Sequence, residues 1–137
     1  MFEAIVKWFE SVLGKPRSPL DTLGPKGENV AAKFLRNLGY RILERNYRCR
    51  AGEVDIIARD GKSLVFVEVK TRKDSDPEPE QQVNEEKMKQ ITKVAEFYLG
   101  RFGIPQPPVR FDIVAVIWPR NQEPIIRHIT DAFGETK

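Results

Sequence analysis

A chain of 137 residues with 40% hydrophobic and 31% charged content has room for a single core and the make-up of an ordinary globular domain. Its formal net charge of +3 and pI near 9.1 permit nucleic-acid binding without demanding it. Cys49 is the only cysteine and His128 the only histidine, which excludes an internal disulfide, a cysteine-based zinc site and a multi-histidine metal site, and leaves no second histidine for a Ser-His-Asp triad. A reducing, cytoplasmic compartment is the simple expectation, with Cys49 unreactive and His128 structural.

Residues 1–14 place Phe2, Ile5, Val6, Phe9, Val12 and Leu13 at helical spacing, with Glu3, Lys7 and Glu10 on the other side. Internal charges and the lack of a small-residue cleavage site argue against a signal peptide, and no run is long enough to span a bilayer. Docking on the core is the favoured role for this amphipathic helix; a partner protein, a second copy or a membrane surface are its alternatives. Lys15 to Asp21, with Pro16 and Pro19, reads as a linker. The expected division is a helix and linker over 1–18, a main domain over 19–133 and a tail over 134–137.

From Gly24-Pro25 to Leu38 a second helix is predicted, closed by Gly39 at a C-cap position. Its apolar stripe centres near Ala31, Phe34 and Leu38, with Glu28 on the flank beside Leu35, where it either leans toward a sheet or complements the helix dipole. Tyr40 to Tyr47 predicts a first strand, and Arg41, Arg45, Arg48 and Arg50 form a positive cluster around its end.

Glu53 to Arg59 and Leu64 to Arg72 are the next strands, joined at Asp60-Gly61-Lys62-Ser63, a hairpin signal. The second of them organises the chain. Leu64-Val65-Phe66-Val67 has the composition of a central strand covered on both faces, yet Glu68 and Lys70 are set into it. Strand alternation puts both on the face of Leu64 and Phe66, with Val65, Val67 and Val69 on the other. A loop of Asp60-Gly61 alone sets Asp55 opposite Phe66 and diagonal to Glu68; a loop of Asp60 to Ser63 sets Asp55 directly opposite Glu68; a three-residue loop without a bulge separates them.

Two carboxylates on one buried face repel, so a positive group is expected between them. A hard cation, Mg2+ or Mn2+, suits oxygen ligands, retains waters and binds substrate phosphate. Lys70 would orient or deprotonate the attacking water. Asp55, Glu68 and Lys70 thus read as a phosphodiester hydrolysis site, with Glu28 as a third acid.

After Arg72 the segment Lys73 to Glu80 is polar, acidic and Pro-containing, an exposed loop. A third helix is predicted from an N-cap at Asn84 to Phe102, with Met88, Ile91, Ala95, Tyr98, Leu99 and Phe102 inward and Lys87, Lys89 and Lys93 outward or flanking. Strands follow over 110–118 and 124–129. A helix between the third and fourth strands implies a right-handed parallel crossover, and hence an α/β fold with a mixed sheet flanked by helices.

The assembled pieces resemble the YraN family of small bacterial proteins, whose fold is similar to restriction endonucleases and archaeal Holliday-junction resolvases. They are Gly27-Glu28, Ala31, Leu35, Gly39-Tyr40, Asn46-Tyr47-Arg48, Gly52-Glu53-Val54-Asp55-Ile56-Ile57, Leu64 to Arg72, Arg110-Phe111-Asp112-Ile113-Val114, His128-Ile129 and Asp131-Ala132-Phe133. The likeness implies a restriction-endonuclease-like PD-(D/E)XK core over about residues 23–133. It implies that Asp55, Glu68 and Glu28 bind metal, that Lys70 assists the water, and that Thr71 and Arg72 hold substrate phosphate. Arg48 and Lys87 are further candidate contacts to nucleic acid. The expected activity is metal-dependent endonuclease chemistry on DNA. The alternative from another class is a catalytically inactive module that binds nucleic acid or recruits a partner on the same scaffold, and the plainest reading is an internal Glu68–Lys70 ion pair with no ligand.

Overall fold

A computed structural model of the protein describes residues 23–73 and 85–132. The N-terminal helix and its linker, the acidic loop over 74–80, the cap at Asn84 and the outer domain bounds lie outside the described residues. The elements run α1 (Leu23–Asn37), β1 (Arg41–Cys49), β2 (Gly52–Asp60), β3 (Ser63–Arg72), α2 (Glu85–Leu99), β4 (Val109–Ile117) and β5 (Ile125–Ile129).

The α1 helix stops as its sequence dictates. Gly39, at a φ of 97°, takes the left-handed conformation that glycine adopts without strain. Its N–H donates to Arg36 O at 2.9 Å and the Tyr40 N–H to Leu35 O at 3.0 Å, the pair of bonds of a Schellman ending. Because the helix ends at Asn37, the predicted inward Leu38 is instead 52% exposed. The buried stripe is Glu28, Ala31, Ala32 and Leu35, so Glu28 stands on its centre line and not on its flank. At the N-terminal end the helix meets the sheet with no room to spare: a Cβ on Gly27 would overlap Thr71 Oγ1.

The five strands form one sheet in the order β1-β2-β3-β4-β5. Only β3 and β4 are parallel; the other neighbours are antiparallel. The helix-containing segment between β3 and β4 is the crossover that a parallel pair requires. This mixed α/β sheet has two cores. On one face Ala31, Ala32 and Leu35 of α1 pack on Ile56, Val65, Val67, Val69, Val114 and Val116. On the other Ile91, Val94, Ala95 and Tyr98 of α2 pack on Tyr47, Val54, Ile57, Leu64 and Phe66. Burial on both faces is why β3 reads as a nearly unbroken apolar run. Phe102, predicted inward, lies beyond the end of α2 and is 40% exposed.

A polar cluster is buried on the α1 side. Asp112, fully buried, receives Arg110 Nε at 3.0 Å and Nη2 at 3.1 Å, lies 2.7 Å from His128 Nε2, and accepts the Asp131 N–H at 2.9 Å. Arg110 reaches on to Asp60 at 3.1 Å and to the Tyr40 hydroxyl. The single histidine is therefore structural, wedged edge-on against Phe34 and Tyr40. Burial alone would raise the Asp112 pKa; hydrogen bonds from His128, Arg110 and the Asp131 amide outweigh it and hold the carboxyl below its ordinary value. Its contribution is thus present above the ordinary carboxylate pKa and lost as pH falls through the lowered one. Asp112→Asn should lose about 3 kcal/mol by urea unfolding at pH 7, since one partner of a buried charged network is removed; a loss under about 0.5 kcal/mol would mean that the network adds nothing.

Candidate functional site

The hairpin register decides where the acids fall. Asp60 pairs with Ser63 and Ile56 with Val67 across the Gly61-Lys62 turn, an even loop whose continuation sets Asp55 opposite Glu68. Regular pairing stops at Ile56 and Val67. There Asp55 Oδ2 takes the place of a backbone acceptor and receives the Val69 N–H at 2.8 Å. Strict alternation would put Val54 with Ile56 on the α1 face. Instead Val54 joins Ile57 in the α2 core, and the slip is absorbed at Asp55, whose carboxylate reaches across the gap between strands. The neighbouring strand makes a matching adjustment: Asn46, between the partners of Ile56 and Val54, has a φ of 51°, a left-handed conformation that asparagine tolerates better than most residues.

Glu68 and Lys70 are 5% and 3% exposed. Burial is the largest reason that the Glu68 pKa stands well above the ordinary value, and the charge and hydrogen-bond contact of Asp55 raise it further against the pull of Lys87 and Lys70. Lys70 is pushed down to about 8, again chiefly by burial, with Glu68 and Asp55 opposing the drop. Glu68 Oε1 is buried with no hydrogen-bond partner among the described residues. A third group completes the cluster. Lys87, predicted outward or flanking, turns inward from α2: its side chain is 9% exposed, its Nζ lies 3.7 Å from Glu68 Oε2 and it donates to Gln90 Oε1 at 3.0 Å.

Asp55 and Glu68 offer an all-oxygen donor pair with one buried oxygen unsatisfied. That fits a hard divalent cation, which commonly takes one or two carboxylates from protein and completes its shell with water and substrate phosphate. Among the described residues no three His, Cys, Asp or Glu side chains gather as a metal-ligating group. Glu28 is buried, at 7% exposure, but on the helix that packs against the opposite face of the sheet.

The other candidate contacts are dispersed. Thr71 is half-buried beneath Gly27. Arg72 is half-buried, its pKa lowered by burial, and its carbonyl accepts the Trp118 N–H at 2.7 Å. Arg48 is exposed and pairs with Glu53 at 3.0 Å. Sequence reasoning missed Lys87 as part of the cluster, Gln90 as its anchor and Asn46 as the irregularity beside Asp55. The available signals were an i, i+3 spacing of Lys87 and Gln90 on the helix facing Glu68, and an asparagine inside a strand pattern.

Comparison with known proteins places this architecture in company. The profile described as "Uncharacterised protein family UPF0102" matches residues 27–116. A UPF0102 protein of Geotalea daltonii is 46% identical over 121 residues, covering 88% of this chain and 95% of its own. One from Geobacter sulfurreducens is 50% identical over 112 residues, covering 81% and 88%. One from Streptomyces griseus is 47% identical over 108 residues, covering 77% and 91%.

The acid pair, with Glu68 buried and Asp55 half-buried, makes a stability signature. Because the folded-state pKa of Glu68 is raised, the folded protein binds the extra proton, and stability falls as pH rises from the ordinary carboxylate value through the raised one. In EDTA, Glu68→Gln should therefore melt higher than the parent at pH 7.5, and the difference should shrink toward zero as pH is lowered past the ordinary value. A difference that does not change with pH would mean that Glu68 is not under this tension.

Proposed function

The chain belongs to the UPF0102 family, and we propose that it is a metal-dependent nuclease-like protein that hydrolyses phosphodiester bonds in DNA on a PD-(D/E)XK-type core. One observation carries this reading: two carboxylates, Asp55 and Glu68, meet at the point where two strands part, with the ammonium of Lys70 in the same buried cluster. A structural ion pair needs one acid and one base. It does not need a second acid aimed at the first, and like charges converging at a buried position are a mark of functional sites.

Asp55 and Glu68 would hold Mg2+ or Mn2+. When bound, such a cation polarises a phosphoryl oxygen and acidifies a water molecule. The remaining work belongs to the protein. Lys70, with its pKa near 8, stands close to the boundary of deprotonation at neutral pH and can hold or accept a proton from water beside it. The Val69 N–H fixes one oxygen of Asp55, leaving Oδ1 to the ligand. The α2 helix roofs the strand end and keeps the dielectric low.

The second reading, an inactive binding module, is favoured by the absence of a three-acid group among the described residues. It predicts salt-sensitive DNA binding without turnover. Both are tested on linear, flapped and four-way DNA with Mg2+ or Mn2+. Asp55→Asn, Glu68→Gln and Lys70→Ala should each reduce cleavage at least about 100-fold while circular dichroism is unchanged; Asn at position 55 still accepts the Val69 N–H. Equal cleavage by the parent and all three variants would refute the assignment, and binding without cleavage by the parent would select the inactive module.

A further inference from the structure

Lys87 is where the site departs from a simple pair of acids. Its side chain is only 9% exposed, and a charge so placed calls for a partner. The 3.7 Å separation from Glu68 Oε2 is inside ion-pair range and outside hydrogen-bond range. The hydrogen bond of Lys87 goes elsewhere, to Gln90 at 3.0 Å. So the ammonium is held by Gln90 and lent to Glu68, and leaving Glu68 breaks no hydrogen bond between the two.

Gln90 in turn is fixed by backbone. A Cβ on Gly52 would overlap Gln90 Cγ, and Gly52 has a φ of 141° that side chains rarely adopt. The opening glycine of the β2 strand thus leaves the space that the Gln90 side chain fills. The line Gly52, Gln90, Lys87, Glu68 runs from the β1–β2 turn through α2 to the acid pair.

Resting on the reading of Asp55 and Glu68 as a cation site, we propose that Lys87 is the resident counterion of Glu68, competing with a divalent cation for that carboxylate and displaced when the cation binds. The two cannot share Glu68 closely, because an ammonium and a divalent cation a few ångströms apart in a buried site repel strongly. Lys87 therefore sets the affinity for the cation, and Gln90 is its positioning residue. Gly52 allows the arrangement. On release, the ammonium remains tethered to α2 within reach of a phosphate brought to the same carboxylates.

The test is a calorimetric titration of Mn2+ alone into the full chain and its Lys87→Met and Gln90→Met variants, with thermal unfolding to verify folding. Lys87→Met should bind Mn2+ about tenfold more tightly than the parent, since the competing charge is gone. Gln90→Met, which keeps the ammonium but removes its anchor, should move in the same direction by a smaller factor. Unchanged or weaker Mn2+ binding in Lys87→Met, with the parent still binding Mn2+ through Asp55, would overturn the counterion role and leave the cation site standing. Binding by Lys87→Met where the parent binds none would support it in its strongest form. Binding by neither would remove both the counterion role and the site on which it depends.

Discussion

The hydrogen bond from the Val69 amide to Asp55 is the contact around which the site is built. Where β2 and β3 cease to pair, a buried strand amide needs an acceptor, since leaving one unmade costs on the order of 1–3 kcal/mol. A carboxylate supplies it by crossing the strand gap, and in doing so it is delivered next to Glu68. The alternation slip at Asp55 and the left-handed Asn46 beside it are the local distortions that make the crossing feasible. Strain and charge repulsion are thus concentrated at one sheet end, while the remainder of β3 is regular and apolar.

The same sheet holds a control for this interpretation. Asp112 and Glu68 are both buried carboxylates on adjacent parallel strands, yet their environments are opposite. Asp112 has every oxygen engaged by Arg110, His128 or the Asp131 amide and is held ionised. Glu68 faces a second acid, has an unsatisfied oxygen and is pushed toward its neutral form. One network ties β2, β4, β5 and Tyr40, beyond the end of α1, together. The other leaves Glu68 Oε1 buried with no hydrogen-bond partner among the described residues, the feature that supports the proposed cation site.

The architecture was legible from the chain because its signals are local. Gly39 marked the end of α1, Asp60-Gly61 marked the hairpin, and the composition of Leu64 to Val69 marked a strand inside the sheet. The hairpin signal left the relation of Asp55 to Glu68 open among three loops, and the Gly61-Lys62 turn of the structure sets it. What escaped was whatever depends on distant partners. Leu38 and Phe102 continue apolar periodicity past the residues where their helices stop, so pattern alone assigned them inward. Lys87 looked like a surface cation until the crossover laid α2 over Glu68, and its burial compensates a charge nineteen residues earlier in the chain. Asp112 draws its partners from β4, from β5 and from Asp131, two residues beyond β5, which no periodicity connects.

Charge balance explains how such a cluster survives folding and why it would discriminate among ligands. Asp55 and Glu68 carry at most two negative charges, and Lys70 and Lys87 at most two positive ones, so the buried group can be neutral as it stands. Addition of a divalent cation alone would leave it strongly positive in a low-dielectric site, an unfavourable state unless Lys87 withdraws or an anion enters. A phosphodiester is an anion of suitable charge. On the proposed reading, cation and phosphate therefore stabilise one another's binding, and linkage makes that assistance reciprocal. The preference for an anionic substrate then arises from the protein's own ammonium groups, and not only from the basic residues on its surface.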